Sequence, residues 1–334
     1  MREIYDLAIT SMLLDIIYIL AGFVLLVKGG DFLVDGSVAI ARRARLSPMV
    51  IGLTVMGFGT SAPELLVSAQ AAWRGSSGIA LGNVAGSNIA NIGLILGLTA
   101  MMSGLPVGKK TLRVDVPFML LAMLALIGAA AWGGVIERWM GIAMVLMLTA
   151  FVWWEIWSER KKSRKADGDG VSVDEVVMPL WKALALVVVS LGAMVWGSDL
   201  LVDGASSVAM RMGEIFGAER DAMERIVGLT VVAVGTSLPE LFASVMAARK
   251  GETSMAVGNV IGSVSFNILC VVGVSSAIAP IANAWTPFAT DYAVMLAMSL
   301  LLWLFLRTGY RMGRREGLTL LAGYVAYVLW ITLF

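Results

Sequence analysis

Histidine is absent from the chain, and cysteine occurs once, as Cys270. A single cysteine excludes an internal disulfide framework. Without histidine, the commonest transition-metal ligand and the side chain best suited to titrate near neutral pH are both missing. Any proton coupling would fall to carboxylates. Charge is scarce too: 15% of the 334 residues are Asp, Glu, Lys or Arg, and the net charge is +1, which leaves no basic surface for nucleic acid. No phosphate-binding loop, no cofactor fingerprint and no nucleophile paired with a base is visible, so nothing points to an enzyme, an ATP-driven pump or a bound cofactor.

What is abundant is apolar sequence. With 59% hydrophobic residues and a mean hydropathy of +0.85, the chain reads as an integral membrane protein. At about twenty apolar residues per crossing, ten spans are expected, over residues 13–41, 48–73, 79–102, 112–132, 136–157, 180–212, 223–248, 254–278, 287–306 and 317–334. The first lacks a small-residue cleavage pattern and is taken as a retained helix rather than a signal peptide. The only sizeable polar interruption, with the run Glu159-Arg160-Lys161-Lys162-Ser163-Arg164-Lys165, divides the chain into a first five-helix unit (1–157), a solvated linker (158–178) and a second five-helix unit (179–334).

The two units are copies. Gly52-Leu53-Thr54, Gly59-Thr60-Ser61-Ala62-Pro63-Glu64-Leu65 and Gly82-Asn83-Val84-Ala85-Gly86-Ser87 through Asn91 return as Gly228-Leu229-Thr230, Gly235-Thr236-Ser237-Leu238-Pro239-Glu240-Leu241 and Gly258-Asn259-Val260-Ile261-Gly262-Ser263 through Asn267, at constant offset. Outside this motif, Gly30-Asp31-Phe32-Leu33-Val34-Asp35-Gly36 corresponds to Ser198-Asp199-Leu200-Leu201-Val202-Asp203-Gly204. An odd number of spans per copy turns the second copy upside down. The expected fold is therefore an all-α membrane protein of about ten transmembrane helices in two inverted-topology five-helix repeats.

Loop charge gives the orientation. Arg42, Arg43 and Arg45, Lys109, Lys110 and Arg113, the basic linker, Arg249 and Lys250, and Arg307, Arg311, Arg314 and Arg315 fall on one side, while the other side holds only Arg2, Arg74, Arg138, Arg211, Arg220 and Arg225. The positive-inside rule places the linker in the cytoplasm and both termini outside, in a multi-pass protein of the cell's inner (plasma) membrane.

The repeated motif sets polar groups at membrane depth. Pro63 and Pro239 lack an N–H, so the carbonyls of Gly59 and Gly235 lose their helical partners, and the second and seventh helices are expected to break or kink there. In hydrocarbon a freed carbonyl needs a partner, which a bound cation can supply. Beside these carbonyls stand Thr60, Ser61 and Glu64, and Thr236, Ser237 and Glu240. Spacing of four places Thr60 with Glu64, Thr236 with Glu240, Ser87 with Asn91, and Ser263 with Asn267 on shared faces. Hydroxyls, amide oxygens, carbonyls and carboxylates are hard ligands that suit calcium and sodium. Two glutamates balance one calcium or two sodium ions, and a ligand set that unlike cations occupy in turn is the minimum for exchange. A lone buried glutamate would equally serve a helix–helix hydrogen bond, but two in matching context favour a site. The Gly258 and Gly262 pair reads as helix packing. Asn83 and Asn259 are open between helix bonding and ligation, and Asp31, Asp35, Asp199 and Asp203 suit a structural or gating role better than ion binding.

With Gly-Thr-Ser-x-Pro-Glu in both halves, and Gly-Asn-x-x-Gly-Ser followed four positions later by asparagine, the chain resembles the sodium/calcium exchanger branch of the cation/calcium antiporter superfamily, in its compact prokaryotic form. The resemblance covers essentially the whole chain. It implies a secondary antiporter that binds calcium and sodium midway across the bilayer, between helices two, three, seven and eight, while helices one and six slide to expose the site to alternate sides. Carried over by motif position, it implies Glu64 and Glu240 as central ligands, oxygens from Thr60, Ser61, Thr236 and Ser237, a shell completed by Ser87, Asn91 and Ser263, and backbone oxygens near Gly57 and Ala233 for sodium. Asn267 stands where some relatives carry aspartate, and Val264 replaces the first asparagine of the Gly-Ser-Asn in copy one. An amide carries neither charge nor proton, which leaves calcium/proton or potassium-assisted exchange as the alternative; a gated cation channel is more distant. The partners implied are calcium, sodium and the lipid bilayer, with the oligomeric state open and a monomer compatible.

Overall fold

Small residues let the two longest helices touch along most of their length. In the computed structural model, which describes residues 2–166, 178–215, 233–282 and 284–333, α1 (Arg2–Ala44) and α7 (Leu180–Ile215) run antiparallel. A methyl group at Gly22 would lie 2.5 Å from the Gly197 carbonyl oxygen, and one at Gly36 would lie 3.0 Å from that of Ala183. Lipid supplies no hydrophobic drive for helix pairing, so close backbone approach does the work.

The remaining elements follow in order. A bent span is formed by α2 (Pro48–Thr60) and α3 (Ala62–Trp73), which meet at 45°. Then come α4 (Ser77–Ser103), α5 (Thr111–Ala131) and α6 (Arg138–Ala166). After α7, the second copy enters the described residues at α8 (Ala233–Gly235) and continues through α9 (Leu238–Arg249), α10 (Thr253–Ile278), α11 (Ala289–Arg307) and α12 (Arg314–Leu333). The described residues hold eight helices long and apolar enough to span, nine with the bent pair taken as one. The expected span at 223–248 accounts for the tenth: its part before residue 233, like the motif residues Gly228 to Thr230, lies outside the described residues. The break expected in the second helix is present, and its counterpart stands between α8 and α9 at Thr236 and Ser237.

Burial orders the helices around a centre. Of the apolar windows of α4 and α10, 78% is buried, against 11% for α12, so α4 and α10 form the middle of the molecule. Gly258 and Gly262 press on the backbone at Met49 and Leu53 of α2, as the small-residue spacing implied. Three features differ from expectation. First, α6 does not end at 157: it continues through the charged run to Ala166, because Glu, Arg and Lys are good helix formers and Lys110 pairs with both Glu155 and Glu159. The linker residues 167–177 lie outside the described residues. Second, a two-residue antiparallel ladder joins β1 (Leu105–Pro106) to β2 (Arg311–Met312). Third, α4 and α10 each widen into π-helical turns, at Asn91–Leu96 and Asn267–Val272, and α2 does so at Gly52–Met56. Such turns concentrate at functional positions.

Candidate functional site

The site begins at the two breaks. Ser61 (φ −82°, ψ 5°) and Ser237 (φ −91°, ψ 3°) leave helical geometry in the same way, each two residues before a proline in the first turn of the next helix. That first turn carries the acid, Glu64 in α3 and Glu240 in α9, so both carboxylates sit at the positive ends of helix dipoles. Both are fully buried, as are Thr60, Asn91, Ser263 and Asn267, and Ser61, Ser87 and Ser237 are nearly so.

The halves interlock at this point. Glu64 Oε1 faces the Ser87 hydroxyl at 3.5 Å, with Thr236 of the second copy as its other hydroxyl neighbour. Glu240 Oε1 faces the Ser61 hydroxyl at 3.4 Å, with Thr60 beside it. Thr60 Oγ1 donates to the Met56 carbonyl at 3.0 Å and lies 3.3 Å from Ser263 Oγ. The expected pairing of Thr60 with Glu64 along one face does not describe these contacts. The breaks at Ser61 and Ser237 turn each threonine toward the glutamate of the opposite copy. Glu64 and Glu240 stand near enough to repel one another electrostatically.

Two asparagines fix the carboxylate-bearing turns. Asn83 donates to the Glu64 carbonyl (3.3 Å) and to Ser68 Oγ (2.9 Å), and Asn259 donates to the Glu240 carbonyl (3.4 Å) and to Ser244 Oγ (2.9 Å). Their amides therefore bond between helices. Ser68 and Ser244 were missed from the sequence, although they repeat at the same offset as the glutamates. Asn88 was missed too: it accepts from Asn267 Nδ2 at 3.2 Å.

Several oxygens at the centre have no partner. Glu64 Oε2, Glu240 Oε2, Asn91 Oδ1, Asn267 Oδ1 and Ser237 Oγ are buried and unbonded. A buried acceptor without a donor is costly, more so when charged. These hard oxygens fit a calcium or sodium ion, which would satisfy several of them at once. No group of three or more His, Cys, Asp or Glu side chains forms a metal cluster among the described residues; the acids here number two, and the other donors are hydroxyls and amides. Gly57 contributes a carbonyl already accepting from the Ser61 N–H at 3.3 Å. At Ala233 the backbone begins α8.

One expectation is corrected. The Gly235 carbonyl, freed by Pro239, already has a protein partner: Ser198 of α7 donates to it at 2.5 Å. The matching position on α1 is Gly30, which has no side chain to offer Gly59. Beside this contact, a cavity of about 440 Å³ lies between α3 and α7, lined by Pro63, Leu66, Asp199, Asp203 and Thr236 among others.

Comparison with known proteins shows the family. The sodium/calcium exchanger protein family matches residues 14–157 and 182–333. The chain belongs to that family. This exchanger-family protein is 37% identical to the putative antiporter CaxA of Alkalimonas amylolytica, over 95% of its own length and 98% of the relative's. It is 33% identical to the sodium/calcium exchanger MaX1 of Methanosarcina acetivorans, over 94% and 97%. Among solved structures, the sodium-calcium exchanger NCX_Mj soaked with sodium and strontium superimposes with a TM-score of 0.79 at 32% identity, covering 95% of this chain and 98% of the other. Family and structural neighbours support a cation/calcium antiporter with two repeats and a multi-pass membrane fold.

Proposed function

We propose that the protein extrudes calcium in exchange for sodium by alternating access, with both ions competing for one site between Glu64 and Glu240. The observation that carries this reading is the set of buried, unpartnered oxygens on Glu64, Glu240, Asn91, Asn267 and Ser237, gathered where α2–α3, α4, α8–α9 and α10 meet. In this reading Thr60, Ser61, Thr236 and Ser237 supply hydroxyl or carbonyl oxygens, Ser87, Ser263, Asn91 and Asn267 complete the shell, and backbone oxygens at Gly57 and Ala233 reach sodium. Two carboxylates hold one calcium or two sodium ions at neutral net charge, so occupancy by one ion excludes the other, and the competition couples their fluxes. The site needs water access from one side at a time, because unpaired charge in hydrocarbon is costly. Loop charge supports a plasma-membrane orientation with the linker in the cytoplasm and both termini outside.

The test is radiolabelled calcium uptake into proteoliposomes loaded with sodium. Uptake should follow an imposed sodium gradient and ignore a proton gradient at fixed potential, and Glu64→Gln or Glu240→Gln should abolish it. Uptake driven by protons alone would favour calcium/proton exchange, with the amide at Asn267 as its sequence correlate. Normal transport by either glutamine variant would overturn the site assignment.

A further inference from the structure

The two copies turn their corners with the same backbone but use the corner side chain differently. Arg74 caps α3 and Lys250 caps α9, at φ −81° and ψ 0° or 1°. Each is followed by a left-handed glycine, Gly75 (φ 76°) or Gly251 (φ 82°), and by matched hydrogen bonds, Ser76 N–H to Ala71 and Glu252 N–H to Ala247. At the second corner Lys250 reaches across to α1: its ammonium lies 2.7 Å from Asp35 Oδ1, 2.7 Å from the Asp31 carbonyl and 3.6 Å from Asp31 Oδ1. Around this contact α1 lies directly against α9, and a methyl group at Gly30 would meet the Phe242 carbonyl at 3.1 Å. At the first corner Arg74 is exposed, and it has no ionic partner among the described residues. The aspartates that match Asp31 and Asp35 by repeat, Asp199 and Asp203, line the cavity between α3 and α7 instead, with Asp203 as a charged neighbour of Asp199.

We propose that these are two copies of one latch, closed at the face carrying the linker and open at the face carrying the termini, and that exchange between access states swaps them: Lys250 releases Asp31 and Asp35 as Arg74 engages Asp199 and Asp203. This rests on the alternating-access reading above. A motion that carries the α1–α7 pair relative to α3 and α9 would close the Asp199–Asp203 cavity and open its counterpart, since the inverted copies present the same surfaces in opposite senses. Both latches lie in water-facing positions, where an ion pair is weak. Such a pair biases a two-state equilibrium without locking it, as a carrier that must cycle requires. Cation entry has a further consequence. While the Arg74 latch is open, two carboxylates with no basic partner among the described residues stand over the passage to Thr236, and closing it halves their net charge.

The experiment uses the full-length protein in proteoliposomes, with Cys270→Ser as the parent and Arg74→Cys with Asp203→Cys as a reporter pair for a short bifunctional thiol cross-linker. If the latches alternate, adding Lys250→Ala to the reporter raises the cross-linked fraction by roughly two- to fivefold, and Asp35→Ala does the same. Cross-linking should arrest calcium exchange. In the parent without reporter cysteines, Lys250→Asp combined with Asp35→Lys should restore the exchange rate that either single change alters. A cross-linked fraction indifferent to Lys250, or exchange continuing after cross-linking, overturns the latch pair. Failure of the exchanger reading is separately visible, because the Cys270→Ser parent would then show no sodium-driven calcium flux.

Discussion

The two broken helices differ least at their carboxylates and most where the long helices touch them. Glu64 and Glu240 occupy equivalent turns, each tied by an asparagine to a serine at 2.9 Å and to its own carbonyl at 3.3 or 3.4 Å. A few residues away the equivalence fails. The Gly235 carbonyl accepts from Ser198, whose repeat counterpart Gly30 carries no side chain, and among the described residues Lys250 has an ionic partner where Arg74 has none. In the alternating-access reading proposed above, symmetry is retained where both ends of the cycle would use the same oxygens and broken where one access state would differ from the other. A rigid core between movable neighbours is the arrangement that lets a site stay intact while its exposure changes.

Each part of this comparison can be broken. The largest effect belongs to the carboxylates: Glu64→Gln and Glu240→Gln should both abolish sodium-driven calcium uptake, and a variant in only one copy that spared it would end the claim of a shared site. Next, Asn83→Ala and Asn259→Ala should each lower stability by about 1–3 kcal/mol, since each removes two hydrogen bonds, to the carboxylate-bearing turn and to a buried serine. Thermal unfolding in detergent should show similar losses for the two, and strongly unequal losses would mean the copies are not mechanically equivalent. Ser198→Ala should act on the asymmetric contact alone. It removes the donor to a buried carbonyl that Pro239 already leaves without its helical partner, so stability should fall by about 1–3 kcal/mol, read as melting temperature beside the initial exchange rate in the same preparation. The smallest shift is the bias carried by Lys250, measured by the reporter pair described above.

Much of this was legible along the chain. The duplicated Gly-Thr-Ser-x-Pro-Glu motif located both breaks, because proline removes a backbone donor wherever it stands. The spacing of Gly258 and Gly262 marked the close packing of α10. The partners of Thr60 were not legible, because a bend of 45° at Ser61 redirects whatever precedes it. Nor were the π-helical turns at Asn91 and Asn267, which follow no residue preference strong enough to read, or the continuation of α6 through a charge run that solvated loops and helix ends both tolerate.

The order of amino acids by itself determined that this chain lives in a bilayer, that it is two copies of one unit in opposite orientations, and that two acids with hard oxygen neighbours lie at depth. These follow from hydropathy, from repetition and from the local reach of one helical turn. Only the tertiary structure decided that each threonine turns toward the glutamate of the other copy, that Ser198 donates to the Gly235 carbonyl, and that among the described residues Lys250 has an ionic partner while Arg74 has none. Those contacts join residues far apart in the chain, and their geometry depends on where α1 and α7 come to rest against the core, a position that no local spacing encodes.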